Sequence, residues 1–531
     1  MKKWKRIVAG IIAAAAVIGC TGCGRENGGQ SSDVNLEGEI PQSLNIFCNI
    51  GPNLSAAGGK SFNDCLTFQL LEEQTGCHVE WDHPASGASQ ERFNLMIASG
   101  TLPDAIVYNW GTVNGGTQSY VDDGVIVDLT PYIETCMPNF YKFMNEHPGL
   151  KKDIVDDNGN IHTIPYIRRD KELCVYQGTR IRKDWLEKLN LEVPTTADEL
   201  YEVLKAFKTQ DPNGNGEADE VPMDGVKFED NGQGIGNLLW AFGTTYDFHL
   251  KDGEVVYGPM LDEFKDGLEY ITKLYSEGLI DTDYLTDDRA KMDAKWTQDT
   301  VGFGFGYQPS TYYTSMNDGT REVIGIGALK APDGNNYTFN NEYIRQVSYA
   351  RFAVTSANEN VAGTLKWLDI LYGEEGIVMG NYGKEGLSFE YVDGEPVFGD
   401  YIFNNPNGKT SAQMFGLTCG VQSSNFPMIQ TWDFYKQTLQ PWGVAAVETW
   451  LADDADTSRI LPTLSLTVEE SEVYTRVMSN VETYMLEEVN KVITGRAGIE
   501  EWDAAVEQMK TLGIEEVLSV QNAAYQRYLE R

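Results

Sequence analysis

Basic side chains are scarce in this chain. Lys and Arg number 41 against 79 Asp and Glu, a formal net charge of -38. A surface of that sign repels phosphate backbones, so nucleic acid is disfavoured as a partner. The acidity reads as solubility rather than as attraction for a cationic substrate. Histidine is rarer: His78, His83, His147, His162 and His249 form no ligand set for a metal. Cys48, Cys65, Cys77, Cys136, Cys174 and Cys419 are scattered without a paired spacing, so zinc is not expected and most read as small buried side chains. Beyond the N-terminus no apolar run is long enough to cross a bilayer. Neither a GxSxG elbow nor an HExxH pair occurs, which removes two common catalytic constellations. No repeat of fixed period is present.

What is present begins at residue 1. Lys2, Lys3, Lys5 and Arg6 head an apolar run from Ile7 to Ile18, of signal-peptide length and too short to span a membrane. The run ends in Val17-Ile18-Gly19-Cys20, similar to a bacterial lipobox, in which a small residue precedes the Cys that takes diacylglycerol, with palmitate among its acyl chains. Cys23 is the second choice. The plain alternative is a secretory signal with incidental cysteines. The expectation is an exported protein held by lipid at the outer face of the cell membrane. Gly24 to Pro41 is Gly, Ser, Asp, Asn and Glu, too polar to fold, and reads as a flexible tether.

The folded part opens with strands and helices in alternation. Leu44 to Cys48, His78 to Trp81 and Asp104 to Tyr108 read as strands; Ser61 to Glu73 and Gln90 to Ser99 read as helices. This order predicts a parallel sheet covered by helices, with ligands beyond the strand C-termini. Two such loops begin at Asn49 and at Asn109-Trp110-Gly111. Thr196 and Glu199 fit a capping box ahead of Leu200, Val203, Leu204 and Phe207. Helices dominate the last third, and Val468 to Ile493 is the longest periodic stretch.

Directly after the Thr196 helix comes Asp211-Pro212-Asn213-Gly214-Asn215-Gly216-Glu217-Ala218-Asp219-Glu220. Oxygen-bearing side chains at the first, third, fifth and ninth positions, with Gly at the sixth, match the spacing by which a loop wraps calcium. The bidentate Glu expected at the twelfth position is absent; Pro222 stands there, and Asp219 and Glu220 could close the shell instead. The alternative is a polar turn. Gly302-Phe303-Gly304-Phe305-Gly306 mimics a nucleotide loop weakly, but it lies in a β-like run without the helix such a loop needs.

Taken together, these segments resemble the extracellular solute-binding proteins of bacterial ABC importers, more narrowly the oligosaccharide-binding lipoproteins that include calcium-containing alginate-binding proteins. The matching residues include Phe93 to Gly100 with Leu102-Pro103-Asp104, Ile181 to Leu186, Pro194-Thr195-Thr196, the Asp211 loop, Leu274 to Asp281, Leu371 to Gly376 and Asn381 to Gly386. Lys384 stands where the pattern has Ile or Val. The resemblance implies an α/β fold of two-lobe periplasmic-binding-protein (Venus-flytrap) type, each lobe a mainly parallel sheet flanked by helices. It divides the chain into a signal peptide 1–19, a tether 20–41, an N-terminal lobe of 42–165 plus roughly 345–400, and a C-terminal lobe of 166–344 plus roughly 401–531. It also implies calcium on Asp211, Asn213, Asn215, Asp219 and Glu220, with the Glu217 carbonyl as a further ligand. A monomer that delivers its ligand to permease subunits is expected.

Sugars present flat apolar faces and a rim of hydroxyls. Aromatic rings supply stacking surfaces at low entropy cost, and planar polar groups read the hydroxyls. The candidates are Trp110, Trp240, Trp296, Tyr307, Trp432 and Trp442, with Tyr166 and Arg345 as polar readers; core packing is the alternative for each. Trp185 and Trp367 sit inside helical patterns and read as core. The competing functions are a lipid-anchored glycoside hydrolase or lyase, which would need paired carboxylates, and a peptide-binding protein, which would need backbone-pairing edges.

Overall fold

The computed structural model describes residues 34–307, 319–423 and 426–531. Cys20, Cys23 and the leader lie outside the described residues. In chain order the strands are β1 Ser43–Phe47, β2 His78–Asp82, β3 Ala105–Tyr108, β4 Ile164–Arg168, β5 Gln177–Arg182, β6 Val221–Met223, β7 Phe248–Lys251, β8 Glu254–Tyr257, β9 Val301–Tyr307, β10 Val323–Ile326, β11 Val347–Val354, β12 Phe389–Val392, β13 Glu395–Phe398 and β14 Ile429–Gln430. Six of them form one sheet in the order β14-β4-β11-β3-β1-β2, and four form another in the order β10-β5-β9-β6. Each sheet carries its own core, and these are the two lobes.

The first three strands alternate with helices as the periodicity predicts, and β1 pairs parallel with both β2 and β3. Both sheets are mixed: three of the five pairings are parallel in the six-stranded sheet, and one of the three in the four-stranded sheet. β11 returns antiparallel between β3 and β4, while β5 runs antiparallel to both β9 and β10. Ser61 makes its capping box with Asp64. Thr196 accepts from the Glu199 backbone N–H, but the Glu199 carboxylate reaches the N–H of Thr195, one residue beyond the expected partner.

Two boundaries differ from the sequence expectation. The tether is not free up to residue 41. The Leu36 and Gly38 carbonyls accept from the Lys366 ammonium, the Glu39 carbonyl accepts from Asn360, and Leu36 and Ile40 pack on the first core. Residues 401–435 belong to the first lobe, not the second: Ile402, Phe415, Cys419, Phe426 and Phe434 are buried in its core. An amphipathic helix advertises an apolar face, not which lobe it covers. The chain crosses between lobes at 169–176, 340–346 and 436–441. There Arg168 pairs with Glu342 at 2.5 Å, and Gln346 donates to the carbonyls of Arg168 and Arg169. The six described cysteines are buried.

The glycines of β9 make room rather than bind phosphate. A Cβ on Gly304 would meet Asp224 Oδ1 at 2.5 Å, and one on Gly306 would meet the Arg180 guanidinium carbon at 2.4 Å. Arg180 is fully buried, its Nη2 donating to the Phe305 carbonyl and its guanidinium 5.1 Å from the Trp296 ring. Gly306→Ala is therefore expected to cost about 1–3 kcal/mol, the usual penalty for forcing atoms into a packed core. Urea denaturation checks it.

Candidate functional site

A cavity of about 610 Å³ lies between the lobes. Its first-lobe wall starts at the end of β3. Trp110 is buried there, donates its indole N–H to the Ile106 carbonyl at 3.0 Å, and meets Phe93 and Tyr120 edge-on. A Cβ at the next residue, Gly111, would lie 2.5 Å from Tyr349 Cδ1, so only Gly lets the Tyr349 ring come this close. Tyr349 sits under the Arg345 guanidinium, 4.1 Å from its centre, and its hydroxyl accepts from Thr463 at 3.2 Å. Below it, the polar turn at Asp156 folds on itself. Asp156 Oδ1 accepts the backbone N–H groups of Asn158 and Asn160, which turns Asn160 and His162 toward the cavity.

The second-lobe wall is built around the β7–β8 hairpin. Asp252 and Gly253 at its tip both have positive φ, the left-handed pair a two-residue turn needs. The hairpin presents Phe248 and His249 to the cavity, with Asp247 just before it. Tyr246 donates its hydroxyl to the Glu229 carbonyl at 2.7 Å. Tyr474, on the helix Val468–Ile493, stands 6.2 Å from Phe248, and Phe339 meets His249 edge-on. The cavity thus has rings on both sides, carboxylates at Asp153, Asp156 and Asp247, and amides at Asn114, Asn160, Asn231 and Asn341. Rings with convergent polar groups bind neutral or weakly charged organic ligands by face contact and hydrogen bonds.

Enclosure changes the titration of these groups. Burial raises the carboxyls of Asp153 and Asp247 and pushes the Arg351 guanidinium down to about 10. Burial also holds the His249 imidazole down at about 4. The unfolded chain then takes up this proton before the folded one. The His249 contribution is present above about pH 6.5 and is lost as the pH falls toward 4, at about 1.4 kcal/mol per pH unit for one proton. The difference between the stability–pH curves of the natural protein and His249→Phe is expected to show that slope.

Of the candidates, the structure brings Trp110 to the cavity; Arg345 does not line it, but contacts Tyr349 and Asn341, which do. The others lie elsewhere. Tyr166 is in the first core and Trp240 in the second. Trp296 is packed beneath β9, with Trp442 against the same small cluster. Tyr307 stacks on Tyr176 at the end of β9 and carries the Arg289 guanidinium over its ring. Trp432 stands at a crossing segment, its backbone N–H donating to Asp170. Tyr246, Asp247, Phe248, Phe339, Tyr349 and Tyr474 line the cavity and were not among the candidates. The Asp252-Gly253 pair between alternating residues was the available signal for the hairpin.

The loop at Asp211 is wound by three residues of positive φ, Asp211, Gly214 and Gly216. Asp211 accepts the N–H groups of Gly214 and Gly216; Asn213 and Asn215 accept those of Asn215 and Glu217. The amides of Asn213 and Asn215 both donate to Asp219. Glu220 Oε1 is buried without a hydrogen-bond partner; burial, then the charges of Asp219 and Asp211, raise its carboxyl. Among the described residues no group of three His, Cys, Asp or Glu is disposed to hold a metal ion, so a cation here would need the amide and carbonyl oxygens as well. With those included, the donor set is all oxygen and fits a hard cation such as calcium.

Residues 60–377 match the family of bacterial extracellular solute-binding proteins. The chain is similar to the fructooligosaccharide ABC transporter substrate-binding protein FusA of Streptococcus pneumoniae serotype 4, 28% identical over 541 residues that cover 98% of this chain and 97% of the relative. Among solved structures it is similar to a FusA EF-hand mutant in complex with fructo-nystose, with a TM-score of 0.73, 26% identity, and coverage of 92% of this chain and 99% of that one. It is also similar to the alginate-binding protein AlgQ2 without calcium ion, with a TM-score of 0.69, 25% identity, and coverage of 92% and 98%.

Proposed function

The chain belongs to the bacterial extracellular solute-binding proteins, and from that premise we propose that it captures an oligosaccharide between its lobes and delivers it to the permease of an ABC importer. The observation that carries this reading is the cavity itself, with Tyr349 on one lobe and Tyr246, Phe248 and Tyr474 on the other, among carboxylates and amides. Such rings take the apolar faces of a sugar, and the polar groups take its hydroxyls. The ligand favours the closed arrangement by touching both lobes at once, and closure presents both lobes to the permease. Binding and release need no covalent step, so the protein works as a carrier rather than an enzyme. It acts as a monomer, exported and anchored at the outer face of the cell membrane through lipid on Cys20, or on Cys23.

Calcium on the Asp211, Asn213, Asn215, Asp219 and Glu220 side chains and the Glu217 carbonyl would be structural. It would neutralise the mutual repulsion of three carboxylates and give Glu220 Oε1 a partner. A thermal-shift screen against oligosaccharides and peptides tests the main reading. A bound oligosaccharide at 100 times its Kd adds about 2.7 kcal/mol of stability. Stabilisation by peptides alone, or turnover of a bound glycan, contradicts it.

A further inference from the structure

Family membership leaves open whether the sugar carries charge, and the cavity speaks to that. Its lining has two guanidiniums, Arg351 and Arg531. Arg531 is consumed by the protein. Its Nε and Nη2 donate to Asp157 at 2.8 and 2.6 Å, Nη2 also donates to Ser465 Oγ, and Nη1 donates to the Lys152 carbonyl. Arg351 donates to the Ser348 carbonyl at 3.1 Å and the Asp153 carbonyl at 2.8 Å, and the Asp153 carboxylate balances its charge. The two histidines add no positive charge near neutral pH, because burial holds both rings in the neutral form.

Two carboxylates remain without a cation. Asp156 accepts two backbone N–H groups and faces the neutral His162 at 3.9 Å. Asp247 accepts the N–H of Phe248 at 2.7 Å, and among the described residues no Lys or Arg pairs with it. Its electrostatic neighbours are phenols and another acid: Tyr246, Tyr257, Tyr474 and Glu482. Asp247 therefore lines a cation-poor space between the lobes. A carboxylate so placed is a strong acceptor for a pair of sugar hydroxyls, since such bonds are charge-assisted and water competes poorly for them. It is equally a barrier to a second carboxylate, because like charges repel strongly where solvent screening is weak. The net charge of -38 adds a long-range field of the same sign.

Resting on the oligosaccharide reading above, we infer that this cleft selects neutral oligosaccharides, read at their hydroxyls by Asp247 and Asp156, and turns away oligosaccharides of uronic acids. Calorimetric titration of the full chain in detergent tests it, with kestose, maltotriose, xylotriose and mannotriose as neutral probes and trigalacturonate as the acidic one. The expected result is that a neutral probe binds at least 100-fold tighter than trigalacturonate. Asp247→Asn is expected to weaken that probe at least tenfold at an unchanged Tm and to narrow the gap to trigalacturonate. Trigalacturonate binding as tightly as any neutral probe overturns the charge selection while leaving the oligosaccharide reading standing. Unchanged affinity in Asp247→Asn overturns the role of that carboxylate. A folded protein that binds none of the five probes but binds peptides overturns the oligosaccharide reading itself, and this inference with it.

Discussion

Chelation is expected to lower the Tm of this protein by about 10 °C, with oligosaccharide still binding the chain that stays folded. The size follows from mass action. A cation present at 1,000 times its Kd contributes about 4 kcal/mol, and in domains of this size each kcal/mol moves Tm by about 2–4 °C. The loop at Asp211 closes the end of the helix Ala197–Thr209. It is pinned by Lys188, which donates to the carbonyls of Asp211 and Pro212, and by Asn213, which reaches the Asp299 carbonyl. Without a cation, the mutual repulsion of Asp211, Asp219 and Glu220 is offset only in part, by amides, backbone N–H groups and the Lys188 ammonium. None of the loop residues lines the cavity, so binding is expected to survive. Differential scanning calorimetry with calcium and with EDTA measures the effect. Equal Tm in both makes the loop a polar turn, and loss of binding from a folded protein moves the metal to the ligand site.

Asp157→Ala is expected to cost about 2–3 kcal/mol. Asp157 lies on the first lobe, in the turn that also holds Asp156 and Asn160. It accepts from Arg527 at 2.8 Å and from both Nε and Nη2 of Arg531, near the end of the helix Ile514–Glu530, whose own packing is in the second lobe. The Arg531 side chain is 3% exposed, so removing the carboxylate strands a charge out of water. Breaking a fully buried pair costs about 3–5 kcal/mol. The lower figure allows for the partial exposure of Asp157 and for Glu470, which still holds Arg527. Urea denaturation reads the loss, and Asp157→Asn restores part of it. A change under about 0.5 kcal/mol, the range of ordinary surface substitutions, would mean that this interlobe tie is not coupled to folding.

The fold was more legible than the site. Alternation in β1 to β3, the Ser61 and Thr196 caps and the Asp211 loop are local patterns, and local patterns are what a sequence displays. The cleft is assembled from residues far apart in the chain, among them Trp110, Asp156, Asp247, Tyr349 and Tyr474, which no spacing connects. Large aromatics chosen for sugar chemistry proved a poor guide, because burial claims them first: Trp240 and Trp296 lie in the cores. The three glycines of β9 show the converse. Their spacing weakly mimics a nucleotide loop, and their cause is close packing: a Cβ would meet Phe207 at Gly302, Asp224 at Gly304 and the fully buried Arg180 at Gly306. Lobe membership of residues 401–435 was beyond reach for a related reason, since it depends on which core their apolar faces meet.

The measurement that bears most directly on the account is a calorimetric titration of the protein with neutral oligosaccharides. The account predicts saturable binding at one site per chain, with the sugar recovered intact. No saturable heat from any oligosaccharide, or recovery of cleaved sugar, would contradict it.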